Sequence, residues 1–123
     1  MELQSLLSRA TVCAVLLFFT LALVSARADD MPAEVDYLLT AMGSSDCTFY
    51  RNGKSYSASE AEAHLRMKYK RGRRFAATTE DFIENLASRS SISKDPYYIS
   101  CHTGEMIESG TWLMRLLAEH RSQ

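Results

Sequence analysis

His64 stands four residues after Glu60 and four before Lys68, a spacing that puts all three on one face of a helix. A carboxylate one turn from an imidazole can orient it as a base or share a metal ion with it. The same imidazole also borders Ala61 and Leu65, where a histidine at the edge of a buried stripe serves packing as readily as chemistry. His102 and His120 make no ligand cluster with it by sequence. No serine, threonine or cysteine carries a nucleophile signature, and the isolated glycines form no phosphate loop. These absences predict a chain that is not an enzyme and needs neither cofactor nor metal.

Two other groupings have a chemical use. Between Arg66 and Arg74 lie six basic residues, namely Arg66, Lys68, Lys70, Arg71, Arg73 and Arg74. Cations at a helix end meet the negative pole of its dipole, and a basic stretch also suits an anionic lipid or a cell-wall polymer. The whole chain has a net charge of −1, which argues against nucleic acid as a partner. Tyr50 and Tyr98 form the second grouping, as a tyrosine pair that offers an apolar ring and a bonding hydroxyl for recognition, or simply stabilises a sheet.

The compartment follows from the first residues. Arg9 ends a short polar start, Ala10 to Val24 is almost wholly apolar, and Ala26-Arg27-Ala28 has the small residues that a signal peptidase reads. The apolar run is shorter than the roughly 20 residues that span a bilayer. The expectation is a secretory signal over 1–28, removed before Asp29, and one small domain over 29–123 in the periplasm. Removal of 28 from 123 residues leaves 95, too few for a second domain. Without Glu2, Arg9 and Arg27 the remainder has 12 basic and 14 acidic residues, a net charge of −2. Cys13 leaves with the signal, so Cys47 and Cys101 are left to pair in an oxidising space.

The elements that must position these groups are legible in outline. Val35, Leu38, Leu39 and Met42 recur at helical steps between Pro32 and Gly43. Asn52-Gly53 joins Cys47–Arg51 to Lys54-Ser55-Tyr56 as a hairpin, because both turn residues tolerate positive φ. Ser57 and Glu60 form a capping box for a helix that ends near Gly72. Thr78 and Asp81 do so more weakly before Phe82, Ile83, Leu86 and Ala87. Ser88 to Asp95 reads as a polar loop, Tyr97–Cys101 as a strand that His102-Thr103-Gly104 leaves, and Trp112, Leu113, Leu116 and Leu117 as the stripe of a last helix.

Joining Cys47 to Cys101 requires their strands to run antiparallel and adjacent. That pairing sets Phe49 opposite Ile99, Arg51 opposite Tyr97 and Tyr50 opposite Tyr98, while the hairpin sets Phe49 opposite Tyr56. Cys47, Phe49, Tyr56, Tyr97, Ile99 and Cys101 then share the core face, and Thr48, Tyr50, Tyr98 and Ser100 the other. The fold expected is α+β, a short three-stranded antiparallel sheet of order 2-1-3 with about four helices packed on one face.

The string Cys47–Gly53, with Glu60-Ala61, His64-Leu65, Lys68-Tyr69, Phe82-Ile83, Ser90–Ser93 and Pro96-Tyr97, resembles the YfeK-like proteins, a bacterial domain family of unknown function. The resemblance covers nearly all of 29–123 and implies a small exported envelope protein of Gram-negative bacteria. Members tend to carry glycine after the serine-rich run, where this chain has Lys94, which implies a loop that turns differently before Pro96. The matching polar positions are Arg51, Asn52, His64 and the serines near Ser90, and they make a small polar site if they converge. Tyr50, Arg51, Asn52, His64 and Tyr98 are therefore the candidate binding residues. The function expected is a non-catalytic interaction module of the cell envelope, its partner another envelope protein or an anionic lipid or wall polymer. The alternatives are an inhibitor or immunity protein for a periplasmic hydrolase, and a small enzyme that uses His64 with Arg51.

Overall fold

A computed structural model of the chain describes residues 31–102 and 104–123. The signal expected over 1–28 lies outside them. Among the described residues no helix is long and apolar enough to cross a membrane.

Helix α1 (Ala33–Ser44) follows Pro32, whose missing N–H costs nothing at a helix start, and buries Val35, Leu38, Leu39 and Met42. Strands β1 (Thr48–Arg51) and β2 (Lys54–Tyr56) meet through Asn52 at φ 49° and Gly53 at φ 75°. Helix α2 (Ala58–Gly72) begins on the expected capping box, where Glu60 N–H donates to Ser57 Oγ at 3.3 Å and Ser57 N–H to Glu60 Oε2 at 2.8 Å. A 3₁₀ turn (Arg73–Phe75) leads to α3 (Thr79–Phe82), capped by Thr78 and Asp81. The third helix does not continue as a regular α-helix. It widens into a π turn over Ile83–Ala87, and Ser88 Oγ donates to the Ile83 carbonyl at 2.6 Å. Strands β3 (Tyr98–Ser100) and β4 (Met106–Glu108) precede α4 (Ser109–Arg121).

The fold is α+β, but its antiparallel sheet has four strands in the order β2-β1-β3-β4, which corrects the expected three. The turn after Cys101 does not leave the sheet: Gly104, at φ 72°, donates its N–H to the Cys101 carbonyl at 2.9 Å, and the chain returns to set Ile107 opposite Ile99. Only Ile107 of this three-residue strand turns partly inward, while Met106 and Glu108 are exposed. One inward side chain beside an exposed methionine gives no alternation to read. The central register is as expected, with Phe49 opposite both Tyr56 and Ile99 and Tyr50 opposite Tyr98. The Cys47–Cys101 disulfide extends the β1–β3 pairing by one position. Phe49 and Ile99 join Leu38, Leu39, Met42, Phe82 and Leu113 in one core.

The loop before Pro96 is ordered by its own bonds. Buried Ser90 accepts on Oγ from the N–H groups of Ile92 (3.3 Å) and Ser93 (3.2 Å), and Ser93 Oγ donates to Asn52 Oδ1 (3.0 Å). Lys94 takes φ 66°, the left-handed region that glycine enters without strain. The lysine thus holds a left-handed turn position, in which a side chain is strained. Lys94→Gly is expected to raise stability by about 0.5–1 kcal/mol, because relief of left-handed strain exceeds the entropy that glycine adds to the unfolded chain. A urea unfolding curve measures the change; a lower midpoint would contradict it.

Candidate functional site

At the end of the sheet nearest the Asn52-Gly53 turn, a set of polar side chains faces α2. Arg51 closes β1 on the same face as Phe49, and Tyr56 lies opposite Phe49 on β2, so Arg51 and Tyr56 are diagonal neighbours. The guanidinium carbon sits 4.5 Å from the centre of the Tyr56 ring. Tyr97, just before β3, is pinned by its N–H to the Ser88 carbonyl (2.9 Å) and by its own carbonyl, which accepts from Ser109 N–H (2.8 Å). His64 and Lys68, one turn apart on α2, meet this edge of the sheet: the His64 and Tyr97 rings are 6.3 Å apart, edge to face.

Lys68 has an unusual setting. Its residue is only 9% exposed, and its ammonium donates to two neutral oxygens, the Arg89 carbonyl at 2.9 Å and the Tyr97 hydroxyl at 3.1 Å. An ammonium has three protons, and no carboxylate among the described residues pairs with this one. Burial, reinforced by the charges of Arg51 and Lys94, pushes its pKa down to about 8. Burial, with Arg51 and Lys68 nearby, likewise pushes His64 down to about 4, so the imidazole is neutral at pH 7. Its Nε2 is buried without a hydrogen-bond partner among the described residues. Burial raises the Tyr97 phenol, against the pull of Arg51.

These groups line a groove of about 570 Å³ that also takes in Lys54, Arg71, Ser90 and Ser91, and no aspartate or glutamate among the described residues lines it. The convergence raised by the family pattern is therefore real in space: Arg51, Asn52, His64, Ser90 and Ser91 all border this groove. Behind it, between Phe49, Leu65 and Ser109, is a cavity of about 30 Å³, room for a water or a methyl group.

The other expected residues are dispersed. Glu60 makes no hydrogen bond to His64; its Oε2 accepts from the Ser57 N–H instead. Tyr50 and Tyr98 border a separate groove with Asn52, Ser93 and Met106, which Arg51 also touches. The six basic residues do not form one patch. Arg66 pairs with Asp36 and Glu62 and ties α1 to α2, Arg73 lies 5.4 Å from the Tyr69 ring and Arg74 4.7 Å from the Phe75 ring, and Lys70 is exposed. Only Lys68 and Arg71 of the six line the groove. Tyr56 and Tyr97 are site residues that a search for chemistry by side-chain type passes over, although the strand register already placed Tyr97 beside Arg51.

Comparison with known proteins agrees with the pattern seen in the residues. The uncharacterized protein YfeK of Salmonella typhimurium is 41% identical over 66 residues, 53% of this chain and 55% of that protein. The chain thus spans about half the length of the curated relative it matches. No solved structure matches. The model of a family of unknown function, DUF5329, matches residues 29–121, and the chain belongs to this YfeK-like family.

Proposed function

We propose that the chain is an exported, non-catalytic interaction module of the bacterial cell envelope whose basic groove holds an anionic group of its partner. The observation that carries the reading is Lys68, a buried lysine that no carboxylate among the described residues pairs with, beside Arg51 in a groove that none of the described acidic residues lines. A charge withdrawn from water without a counter-ion is costly, and an incoming phosphate or carboxylate supplies the missing partner along with charge-assisted hydrogen bonds. Neutral His64 adds a donor or acceptor at the same wall, and Ser90 and Ser91 add hydroxyls.

Export is supported by the signal pattern, by a family match that begins at residue 29, and by a disulfide that suits an oxidising compartment. Mass spectrometry of the exported chain would then find Asp29 as its first residue. The non-catalytic reading is supported by Glu60, which is engaged in the helix cap and makes no hydrogen bond to His64.

Glycerol phosphate is a simple probe of the groove. A ligand that binds only the folded state at twenty times its dissociation constant adds about 1.8 kcal/mol, several degrees of melting temperature for a domain of this size. The melting temperature is expected to climb with glycerol phosphate and not with glycerol or with sodium chloride of equal ionic strength. Arg51→Gln is expected to abolish most of the rise. If neither phosphate nor acetate raises it above the salt control, the groove is not an anion site.

A further inference from the structure

Among the described residues, four large apolar side chains are well exposed: Met67 at 37%, Phe75 at 52%, Ile92 at 95% and Met106 at 53%. Three of them, Met67, Phe75 and Ile92, border the basic groove. They come from three separate segments, α2, the 3₁₀ turn and the loop before Pro96, so no single amphipathic helix accounts for their grouping.

Ile92 is not a loose residue on a floppy loop. Its own N–H and that of Ser93 donate to Ser90 Oγ, Ser90 N–H donates to the Asp95 carbonyl at 2.9 Å, and Lys94 N–H to the Ser90 carbonyl at 3.1 Å. These bonds hold an almost fully exposed isoleucine at the apex of a closed turn. Each of the three has a cation near it in sequence or in space. Arg71 is one helical turn from Met67, the Arg74 guanidinium lies against Phe75, and Lys94 is two residues from Ile92.

Resting on the reading of the groove as an anion site, we propose that this rim seats on the surface of an anionic phospholipid bilayer. The groove takes a headgroup phosphate on Arg51 and Lys68, while Ile92, Phe75 and Met67 enter the interfacial layer beside it. A bilayer surface is a place where a fixed anion and apolar chains lie within a few ångströms of each other, which is the pattern that this rim complements. A free phosphate ion needs the cations but gives the exposed isoleucine nothing to cover it. The exported chain has a net charge of −2, so attraction to an anionic surface must come from this local grouping of cations and not from the net charge.

Sedimentation of the exported chain with vesicles tests this. Binding is expected with phosphatidylglycerol mixed into phosphatidylcholine, to be lost with phosphatidylcholine alone, and to weaken with salt. Ile92→Ser is expected to lower partitioning onto the anionic vesicles by about tenfold or more, since it removes one buried apolar side chain, and by a larger factor than it lowers the affinity for glycerol phosphate. Arg51→Gln is expected to weaken both. Ile92→Trp, with vesicles added, is expected to shift its fluorescence to the blue. If Ile92→Ser partitions as the unaltered chain does, the bilayer proposal fails. Glycerol phosphate binding without any vesicle binding also defeats it and leaves the anion site standing, and an acidic protein bound in the groove in place of vesicles has the same meaning. If neither glycerol phosphate nor vesicles bind, both readings fall.

Discussion

Reducing the bond between Cys47 and Cys101 is expected to destabilise the fold by about 4 kcal/mol and to lower its melting temperature by about 15 °C or more. The figure comes from the loop that the bond closes. The two cysteines are 54 residues apart in sequence, and a closed loop of that length removes a large share of the unfolded chain's freedom. The bond also lies where its loss is felt. Cys47 immediately precedes β1 and Cys101 immediately follows β3, so it locks the two central strands in the register that sets Phe49 opposite Ile99. A domain of this size commonly has only about 5–15 kcal/mol of net stability, so the bond is a substantial part of it. Thermal melts with and without dithiothreitol measure the effect, and the Cys47→Ser, Cys101→Ser double variant repeats it without thiol chemistry. An unchanged melt would mean that packing alone fixes the β1–β3 pairing.

The same bond explains why so much of the centre of the fold is legible in the sequence. Asn52-Gly53 fixes one register through its turn geometry and the cysteine pair fixes the other, so Phe49 receives both of its cross-strand partners from two local signals. The capping boxes at Ser57 and Thr78 are equally local, and both form. What the residues conceal depends on tertiary context. Strand β4 has a single half-buried apolar residue and exists because Ile99 offers an edge to pair with. The π turn at Ile83–Ala87 buries the same residues that an α-helix would, so periodicity does not reveal the wider winding. The run from Arg66 to Arg74 looks like one basic surface in one dimension, yet the helical rotation sends Arg66 to Asp36 and Glu62 and sends Lys68 into the site. His64 is singled out by its spacing from Glu60, but the groups it meets in space are Arg51 and Tyr97, brought there by strand pairing rather than by sequence proximity.

Above about pH 7, where glycerol phosphate is a dianion, its binding in the groove is expected to be flat up to about pH 8 and then to fall by about tenfold for each further pH unit, the slope of a single proton. Lys68 is the group responsible. Burial holds its pKa down at about 8 in the unoccupied groove, with Arg51 at the end of β1 and Lys94 in the adjoining loop adding like charge. Tyr97 faces it with a phenol that burial raises, and His64, its neighbour on α2, is already neutral well below this range. A bound anion favours the ammonium and raises its pKa, so binding above pH 8 must take up a proton. Stability of the unoccupied protein must respond in the opposite sense. The folded-state pKa lies below that of an unfolded lysine, so the unfolded chain binds more protons between about 8 and 10.4, and the contribution of Lys68 to stability rises with pH through that window. Opposite slopes for binding and stability over one pH range are a signature that a solvated surface lysine would not give, because its pKa would not differ between the folded and unfolded states. Lys68→Met is expected to flatten both profiles relative to the unaltered chain, to weaken anion binding at pH 7 by at least about tenfold, and to retain the fold, since methionine fills a similar volume without a buried charge. Calorimetric titration with glycerol phosphate across pH 6 to 10, beside urea unfolding over the same range, measures both slopes. If binding stays constant through pH 9, Lys68 does not hold the anion.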